Sequence, residues 1–194
     1  MSRTEVTVTQ YAACEAAGAC QPRAGIPQEP VDRWGAGVPT QWLTWEQAGA
    51  FCAWAGGRRC TEAEWEWAAR NGPAGDPYPW GTKPSDCNDA VWTLPACPRA
   101  GPEPPCARKA GAWGLCDLAG NVLEWVEDDW HPTYAEAPAD GTAWVDTPRA
   151  GKRVLRGGSY AHVFEDGIRS AWRDRANPGD SAAMFGARCC ATFE

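Results

Sequence analysis

The sequence predicts a loop-rich α+β domain with few regular elements, and three observations carry this prediction. The composition includes 13 tryptophans, 21 glycines and 17 prolines in 194 residues, which is typical of irregular segments anchored by large aromatic side chains. Only two methionines and a modest aliphatic content disfavour a helical bundle. Short capped helix starts alternate with long segments that lack any hydrophobic period. The length suits a single domain, residues 1–194, with a sizeable buried core.

Three helices are expected, because a threonine followed three residues later by glutamine or glutamate occurs three times. In this arrangement the two side chains satisfy backbone donors that have no partner inside the helix. The pairs begin at Thr7, Thr44 and Thr61. Glycines past the last apolar positions place the expected helices within residues 7–18, 44–56 and 61–72.

The remaining segments are mostly irregular. Residues 73–105 are rich in Pro, Gly, Asp and Asn, and we expect a long loop, which in a compact domain is usually functional or fixed by metal or disulfides. Residues 127–150 are acidic, rich in proline and equally irregular. Short strands are expected within residues 115–125, from residue 154, over 168–172 and over 186–192.

Ten cysteines are many for one domain. They indicate either a disulfide framework from an oxidising compartment or small thiols buried in the core. Cys14 and Cys20, and then Cys87, Cys97 and Cys106, favour disulfides because they lie in loop-like sequence. Zinc is disfavoured, since no close CxxC pair occurs and only two histidines are present; the neighbours at 189–190 do not change this, because adjacent strand residues point to opposite faces.

The charge and the hydropathy pattern exclude several classes of partner. A net charge of −7 disfavours nucleic acid, which requires a basic patch. No apolar run has the length of a membrane span, and no signal segment opens the chain. The compartment stays open, although the cysteine content allows an extracytoplasmic setting.

Several motifs occur in an order that resembles the formylglycine-generating enzyme (sulfatase-modifying factor) family. They are TWEQA at 44–48, FCAW at 51–54, TEAEWEWAAR at 61–70, YPWG at 78–81, GLCDLAGNVLEW at 114–125, RGGS at 156–159, RSA at 169–171 and GARC at 186–189. The resemblance begins at the Glu-Val-Thr of residues 5–7 and implies an elaborated C-type-lectin-like fold. That fold agrees with the loop-rich, tryptophan-rich composition.

The resemblance also implies where the chemistry of the family would lie. Its enzymes hold Cu(I) with two cysteines, five positions apart, shortly after Arg-Gly-Gly-Ser, and thiolates suit that ion. The matching positions here are His162 and Gly167, so we expect no copper. Ser159 matches the active-site serine, with local backbone bonding as the alternative. His162 is either a general base, with Asp166 or Glu165 as partner, or a surface contact residue.

Structural calcium is the second cofactor that the resemblance implies, since oxygen ligands on a tight turn suit this ion. The matching ligands are Asp117, the carbonyls of Gly120 and Val122, and Glu124. Asn88 resembles part of a second calcium site. The alternative for Glu124 is a buried carboxylate paired with an arginine such as Arg156.

The C-terminal quarter is also similar to the variable proteins of diversity-generating retroelements, some of which have this same form. In those proteins adenine-directed mutagenesis diversifies surface positions. The resemblance implies a ligand-binding surface formed by Tyr160, Ala161, His162, Val163, Phe164, Asp166, Gly167, Asp174, Ala176, Asp180, Ser181, Ala182, Ala183 and Phe185. Substituted adenines in an Asn codon cannot give Glu, Trp or Met, so Glu165, Trp172 and Met184 would be fixed. Ala187 departs from the phenylalanine that is usual in the family.

We therefore expect a non-catalytic ligand-binding or display protein. Mixed aromatic and charged residues at the expected surface favour a protein or peptide partner. The alternative from another class is an oxidase of the formylglycine-generating type or a divergent non-copper enzyme of that family. An accessory module docked to other machinery is a third hypothesis.

Overall fold

The computed structural model describes residues 1–23 and 34–191, and all three expected helices are present in it. They are α1 (Val8–Ala16), α2 (Trp45–Trp54) and α3 (Glu62–Ala69). At each start the threonine side chain accepts a hydrogen bond from the backbone N–H three residues later. The glutamine or glutamate at that position accepts one from the threonine N–H, so the three capping boxes are confirmed.

Short strands in the described part of the chain form two sheets. They are β1 (Gly57–Arg59), β2 (Leu123–Asp129), β3 (Arg153–Arg156), β4 (Arg173–Ala176), β5 (Phe185–Ala187) and β6 (Cys189–Ala191). The larger sheet has the order β4-β3-β2-β5, with β3 antiparallel to both neighbours and β5 parallel to β2. Strands β1 and β6 pair antiparallel with each other. This α+β, loop-rich architecture confirms the expected fold class.

Two strand expectations need correction. Residues 168–172 form no strand: Ile168 ends a 3₁₀ helix, Glu165–Ile168, and the strand begins at Arg173. The apolar character of Ile168 reflects burial, because its side chain packs in a core cluster with Tyr78 and Trp92. The strand expected over 186–192 is divided at Arg188, whose side chain turns inward, and Thr192 lies outside the described residues.

All ten cysteines form disulfides, which confirms the framework hypothesis over buried thiols. The bonds are Cys14–Cys20, Cys52–Cys189, Cys60–Cys190, Cys87–Cys97 and Cys106–Cys116. One of them, Cys87–Cys97, closes part of the long irregular region, as its length led us to expect. The neighbours Cys189 and Cys190 have different partners, because they leave β6 on opposite faces. One is bonded within α2 and the other just before α3, so the C-terminal strand is fixed to both.

The core lies between the helices and the larger sheet. Trp65 and Trp125 are fully buried there, together with the side chains of Arg156 and Arg188. No helix within the described ranges combines the length and the apolarity that a membrane crossing requires.

Candidate functional site

Two glycines after β3 turn the chain away from the sheet. Gly157 and Gly158 have φ values of 93° and 71°, in the region that favours glycine. A Cβ at Gly158 would also lie 2.2 Å from the carbonyl oxygen of Gly167. The turn therefore packs its backbone directly against the 3₁₀ helix, and the two positions that match the copper ligands, 162 and 167, become neighbours.

His162 is buried, with 9% of its surface exposed, and its ring is bonded to the turn. Its Nδ1 accepts a hydrogen bond from the backbone N–H of Ser159 at 3.0 Å, and the Ser159 hydroxyl lies 3.0 Å from the same atom. Because Nδ1 is an acceptor here, a neutral ring carries its proton on Nε2. The Ser159 oxygen also accepts from the Ala161 N–H, so this hydroxyl serves local backbone bonding.

The imidazole occupies the space that a side chain at position 167 would need. An ideal Cβ built on Gly167 would lie 2.4 Å from Cδ2 of His162 and 2.8 Å from Cε2 of Phe164. No other side chain fits at position 167 unless these rings move. In the described residues, which hold all ten cysteines, no thiol is free.

The environment of His162 does not resemble that of a general base with a carboxylate partner. Burial lowers the pKa of its ring below the usual value, and only Asp174 opposes this effect. Glu165 is used elsewhere, since it accepts hydrogen bonds from the Tyr78 hydroxyl at 2.8 Å and from the Ser85 N–H at 3.2 Å. His162 is thus an internal ring that supports the turn, neither a paired base nor an exposed contact residue.

The exposed part of this segment lies on top of that ring. Val163 and Phe164 expose 69% and 46% of their surface, and Ala161 and Asp166 are exposed as well. The Phe164 ring rests edge-on against His162. It also meets Trp172, with 5.3 Å between the ring centroids. The result is an apolar tip, defined here as Val163 and Phe164, on a rigid aromatic base. Tyr160 is half-buried at the start of the segment, and burial raises the pKa of its hydroxyl.

The second group of expected ligand-binding residues is divided between surface and core. Asp174 is partly exposed on β4, and its electrostatic effect on His162 places it near the first group. Asp180 is exposed and accepts a hydrogen bond from the Asn177 N–H. Residues 181–183 are partly exposed. Phe185 packs edge-on against Trp125.

Besides His162, two more members of the expected surface are buried in the structure. Ala176 is buried in the main core cluster, and Gly167 is buried beneath His162. Neither position presents a side chain to solvent, because alanine ends a strand over the core and glycine leaves room for the imidazole. The mixed sequence of this tract did not separate inward from outward positions.

A cluster of buried charge lies at the turn before β2. Both carboxylate oxygens of Glu124 are within 3.1 Å of the Arg188 guanidinium, and Oε2 also accepts from the Trp65 ring N–H at 2.7 Å. Glu124 is therefore paired with an arginine, as in the alternative from sequence, but with Arg188. Arg156 pairs instead with carboxylates of α3.

Two more carboxylates face the same guanidinium. Glu5 is fully buried and accepts hydrogen bonds from the Asn121 side chain and the Val122 N–H. Burial, then the charges of Asp117 and Glu124, raise the pKa of Glu5 well above its ordinary value. Burial also raises the pKa of Asp117, whose Oδ2 accepts from the Cys106 N–H at 2.7 Å.

The charge balance of this cluster fits a hard cation. Two buried carboxylates, Glu5 and Glu124, and the partly buried Asp117 interact with the one guanidinium of Arg188, and uncompensated charge is costly in an interior. The left-handed backbone at Asp117 and Gly120, with φ of 57° and 81°, forms the tight turn on which the expected oxygen ligands lie. Asn88, expected at a second site, is exposed, and its N–H is bonded to Asp86 in the loop closed by the Cys87–Cys97 disulfide.

The geometry agrees with the comparisons to known proteins. The family model for the sulfatase-modifying factor enzyme 1-like domain matches residues 1–193. The chain belongs to this family. The formylglycine-generating enzyme of Streptomyces coelicolor is 37% identical over 164 residues, which are 78% of this chain and 52% of that enzyme. The chain thus spans about half the length of that relative.

Solved structures of similar fold include PvdO from Pseudomonas aeruginosa, with a TM-score of 0.80 and 29% identity, covering 96% of this chain and 77% of that one. Treponema denticola variable protein 1 has a TM-score of 0.73 and 23% identity, covering 94% and 80%. The second likeness concerns the fold alone. The sulfatase-modifying factor fold of this chain is thus the C-type-lectin-like form that the motifs led us to expect.

Sequence reasoning missed two residues of the charge cluster in this sulfatase-modifying factor domain. Glu5 was noticed only as part of the family motif at residues 5–7, and Arg188 only as part of GARC. The signal that links them to Glu124 is weak, because 64 residues separate Glu124 from Arg188 along the chain. Only their meeting in the fold reveals the cluster.

Proposed function

We propose that this domain is a non-catalytic ligand-binding protein that presents the apolar tip, Val163 and Phe164, with Asp166, Asp174 and Asp180 as polar neighbours. The observation that carries the proposal is the packing of the His162 ring into the side-chain space of Gly167. That packing leaves neither the donor atoms nor the volume of the two-thiolate site expected in an oxidase of the family. We propose that the domain binds no copper.

The pattern of exposed and engaged residues supports a display role. Two of the three positions that the codon argument requires to be fixed have scaffold contacts: Glu165 bonds to Tyr78 and Met184 packs against the core. The third, Trp172, supports Phe164 of the apolar tip. Between them lie exposed residues of mixed chemistry. Aromatic and apolar anchors ringed by a few charges are typical of protein or peptide interfaces, and a protein or peptide is the proposed partner.

A copper experiment tests the absence of oxidase chemistry. Cu(I) titration and oxidation of a cysteine-containing peptide are compared for the wild type and the double variant His162→Cys/Gly167→Cys, which removes the ring and supplies two thiols. We expect tight copper binding only in the double variant. Stoichiometric tight copper with aldehyde product from the wild type would overturn the proposal.

Inspection of the coding locus tests the display role. A retroelement-diversified protein requires a near-copy of the 3′ end of its gene, differing at adenines, beside a reverse transcriptase gene. We expect that arrangement here. Its absence would contradict diversification and leave a binding domain with a single specificity.

An enzymatic function is the second candidate, and the curated relatives favour it, because the Streptomyces coelicolor protein is named a formylglycine-generating enzyme. The buried Ser159–His162 pair is the local feature that a divergent non-copper enzyme would use. Against this, the Ser159 hydroxyl is fully buried and used by local backbone. Aldehyde formation that requires no copper, and that is lost in Ser159→Ala, would favour this candidate.

We also propose that the charge cluster binds structural calcium, with Asp117, Glu124 and the carbonyls of Gly120 and Val122 as ligands. A bound cation would offset the excess negative charge and stabilise the folded state by an amount that grows with the logarithm of its concentration above the Kd. We expect millimolar calcium to raise the Tm of chelator-treated protein, and Asp117→Asn to remove most of that increase. An exposed control, Asp140→Asn, keeps the increase; an unchanged Tm in the wild type would contradict the site.

The disulfides support a proposal for the compartment in which the protein works. Five disulfides are consistent with an oxidising, extracytoplasmic compartment. We propose that the contact surface is presented there.

A further inference from the structure

A cleft between α3 and residues 134–144 shares no lining residue with the surface proposed above. Its volume is about 470 Å³, within the range of small-molecule sites. Its walls are apolar and aromatic, formed by Trp67, Pro73, Tyr134, Pro138 and Trp144. None of the functions considered so far uses this cleft.

Two exposed tryptophans lie beside one another at the edge of the cleft: Trp67 lines it, and Trp113 meets Trp67 at Gly72. Trp67 and Trp113 expose 54% and 51% of their area. Both rings pack over Gly72, where a Cβ would lie 2.7 Å from Trp113 and 3.2 Å from Trp67. We name this pair the tryptophan shelf. Large aromatic rings left side by side in solvent indicate an interaction site more often than a structural role.

The floor of the cleft carries both hydrogen-bond donors and acceptors, with its ion pairs satisfied. Glu66 is paired with Arg70 at 3.0 Å and with Arg156 at 2.7 Å. Glu62 is paired with Arg173 at 2.6 Å and accepts from the Tyr134 hydroxyl at 2.9 Å. The guanidiniums balance the carboxylates of α3, so these ion pairs create no strong demand for a charged ligand.

Asp128 completes the floor. Its two oxygens accept backbone hydrogen bonds from Glu62 and Trp144, at 2.7 and 2.8 Å. The carboxylate is thereby held rigidly between α3 and the facing segment. Acceptors of this kind beside the Tyr134 hydroxyl and the Arg70 guanidinium match a ligand whose groups both donate and accept.

We propose that the cleft and the tryptophan shelf bind a neutral carbohydrate. The C–H face of a pyranose ring packs on an indole ring, and its hydroxyls each donate and accept a hydrogen bond, which suits a floor that carries both donors and acceptors. A strongly cationic or anionic ligand would leave the balanced ion pairs with an excess of one sign. A proline-rich peptide would satisfy the walls but offers few donors for the carboxylates of the floor.

A binding experiment with defined sugars tests the proposal. Trisaccharides of glucose, N-acetylglucosamine, galactose, mannose and xylose are titrated at millimolar concentrations, with tryptophan fluorescence and calorimetry as readouts. We expect saturable binding of at least one of them. Trp67→Ala weakens that binding by at least about tenfold, which corresponds to about 1.4 kcal/mol.

Matched controls separate this site from other surfaces. Trp54→Ala removes another exposed tryptophan, 43% exposed on α2, and is expected to leave sugar affinity unchanged. Phe164→Ala alters the proposed contact surface and is expected to leave the sugar affinity unchanged. Because Trp67→Ala also removes packing over Gly72, the variant is titrated at a temperature at which circular dichroism shows it to be folded. Absence of saturable binding to every trisaccharide, equal affinity in Trp67→Ala, or displacement of a bound sugar by a proline-rich peptide would overturn the proposal.

Discussion

Gly167 and His162 illustrate how one residue decides what its neighbour can be. The imidazole fills the volume beside the glycine, and Phe164 lies against the other side of the same space. From the sequence alone, these positions show only that the two thiols of the family pattern are absent. Their packing could not be predicted, because it depends on the contact between the turn at 157–158 and the 3₁₀ helix.

We expect Gly167→Ala to destabilise the protein by about 1–3 kcal/mol, because its Cβ collides with buried rings. The backbone at this glycine is not left-handed, so the cost reflects packing. His162→Ala also destabilises the protein, because it leaves the buried Ser159 N–H without its hydrogen-bond acceptor. In the double variant the collision with the imidazole is relieved while that with Phe164 remains, so the two effects are less than additive in urea denaturation. Strict additivity would contradict the shared volume.

Asp128 makes the stability of the folded state depend on pH, which can be tested by changing this single residue. Burial raises its pKa to about 6 from an ordinary 3.8. The folded state therefore holds the proton more tightly than the unfolded state. The resulting stability is present below pH 3.8 and is lost as the pH rises through 6. A shift of this size corresponds to about 3 kcal/mol.

We therefore expect the free energy of unfolding of the wild type, relative to Asp128→Asn, to increase by up to about 3 kcal/mol when the pH is lowered from 7 to 4. Urea denaturation at the two pH values measures this difference. Asp140 is the matched control, because the Thr142 hydroxyl and N–H lower its pKa. The wild type should lose stability relative to Asp140→Asn on acidification. The same pH trend in both comparisons would contradict the assigned burial of Asp128.

The helices were the most predictable elements, and the strands the least. Each helix start has a local cause, a threonine and its partner three residues away, which sequence displays directly. Strand β4 reads Arg-Asp-Arg-Ala, with no apolar alternation, because it is an edge strand held by β3. Ile168, at the end of the 3₁₀ helix, owes its apolar character to the core, which explains the misplaced strand.

Two helix caps that look alike in sequence should differ in energy. The Thr61 hydroxyl accepts from the Glu64 N–H and also donates to the Gly141 carbonyl at 2.9 Å, whereas Thr44 has only the cap. We expect Thr44→Ala to cost about 1 kcal/mol, and Thr61→Ala to cost more, in urea denaturation. Serine at either position keeps the hydroxyl and serves as the control. Equal costs would show that the Gly141 contact contributes nothing.

At the scale of the molecule, covalent bonds connect elements that are distant in sequence. The number of cysteines predicted a framework, but the pairing of Cys52 with Cys189 across 137 residues has no local signal. The same holds for the cluster of Glu5, Asp117, Glu124 and Arg188. The candidate surface stays a prediction, and its division into buried and exposed positions required the fold.

We expect the long-range disulfides to contribute most to stability. In the chain-entropy view, a bond that closes a loop of 137 residues contributes about 5 kcal/mol, and one that closes six residues about 2 kcal/mol. Because Cys60–Cys190 closes almost the same long loop, the large contribution is lost only when both bonds are removed. The quadruple variant Cys52→Ala/Cys60→Ala/Cys189→Ala/Cys190→Ala should therefore be less stable than Cys14→Ala/Cys20→Ala in urea denaturation under oxidising conditions. The reverse order would point to strain or to residual structure in the unfolded chain.

The adjacent cysteines of β6 have a consequence for how the chain reaches its native pairing. A slip of β6 by one residue would turn every side chain of the strand to the other face. Cys189 would then point toward Cys60, and Cys190 toward Cys52, with each thiol one step out of position. Closure of both native bonds therefore verifies the register of the strand chemically, and oxidative refolding should retain the correct alignment and reject its nearest competitor.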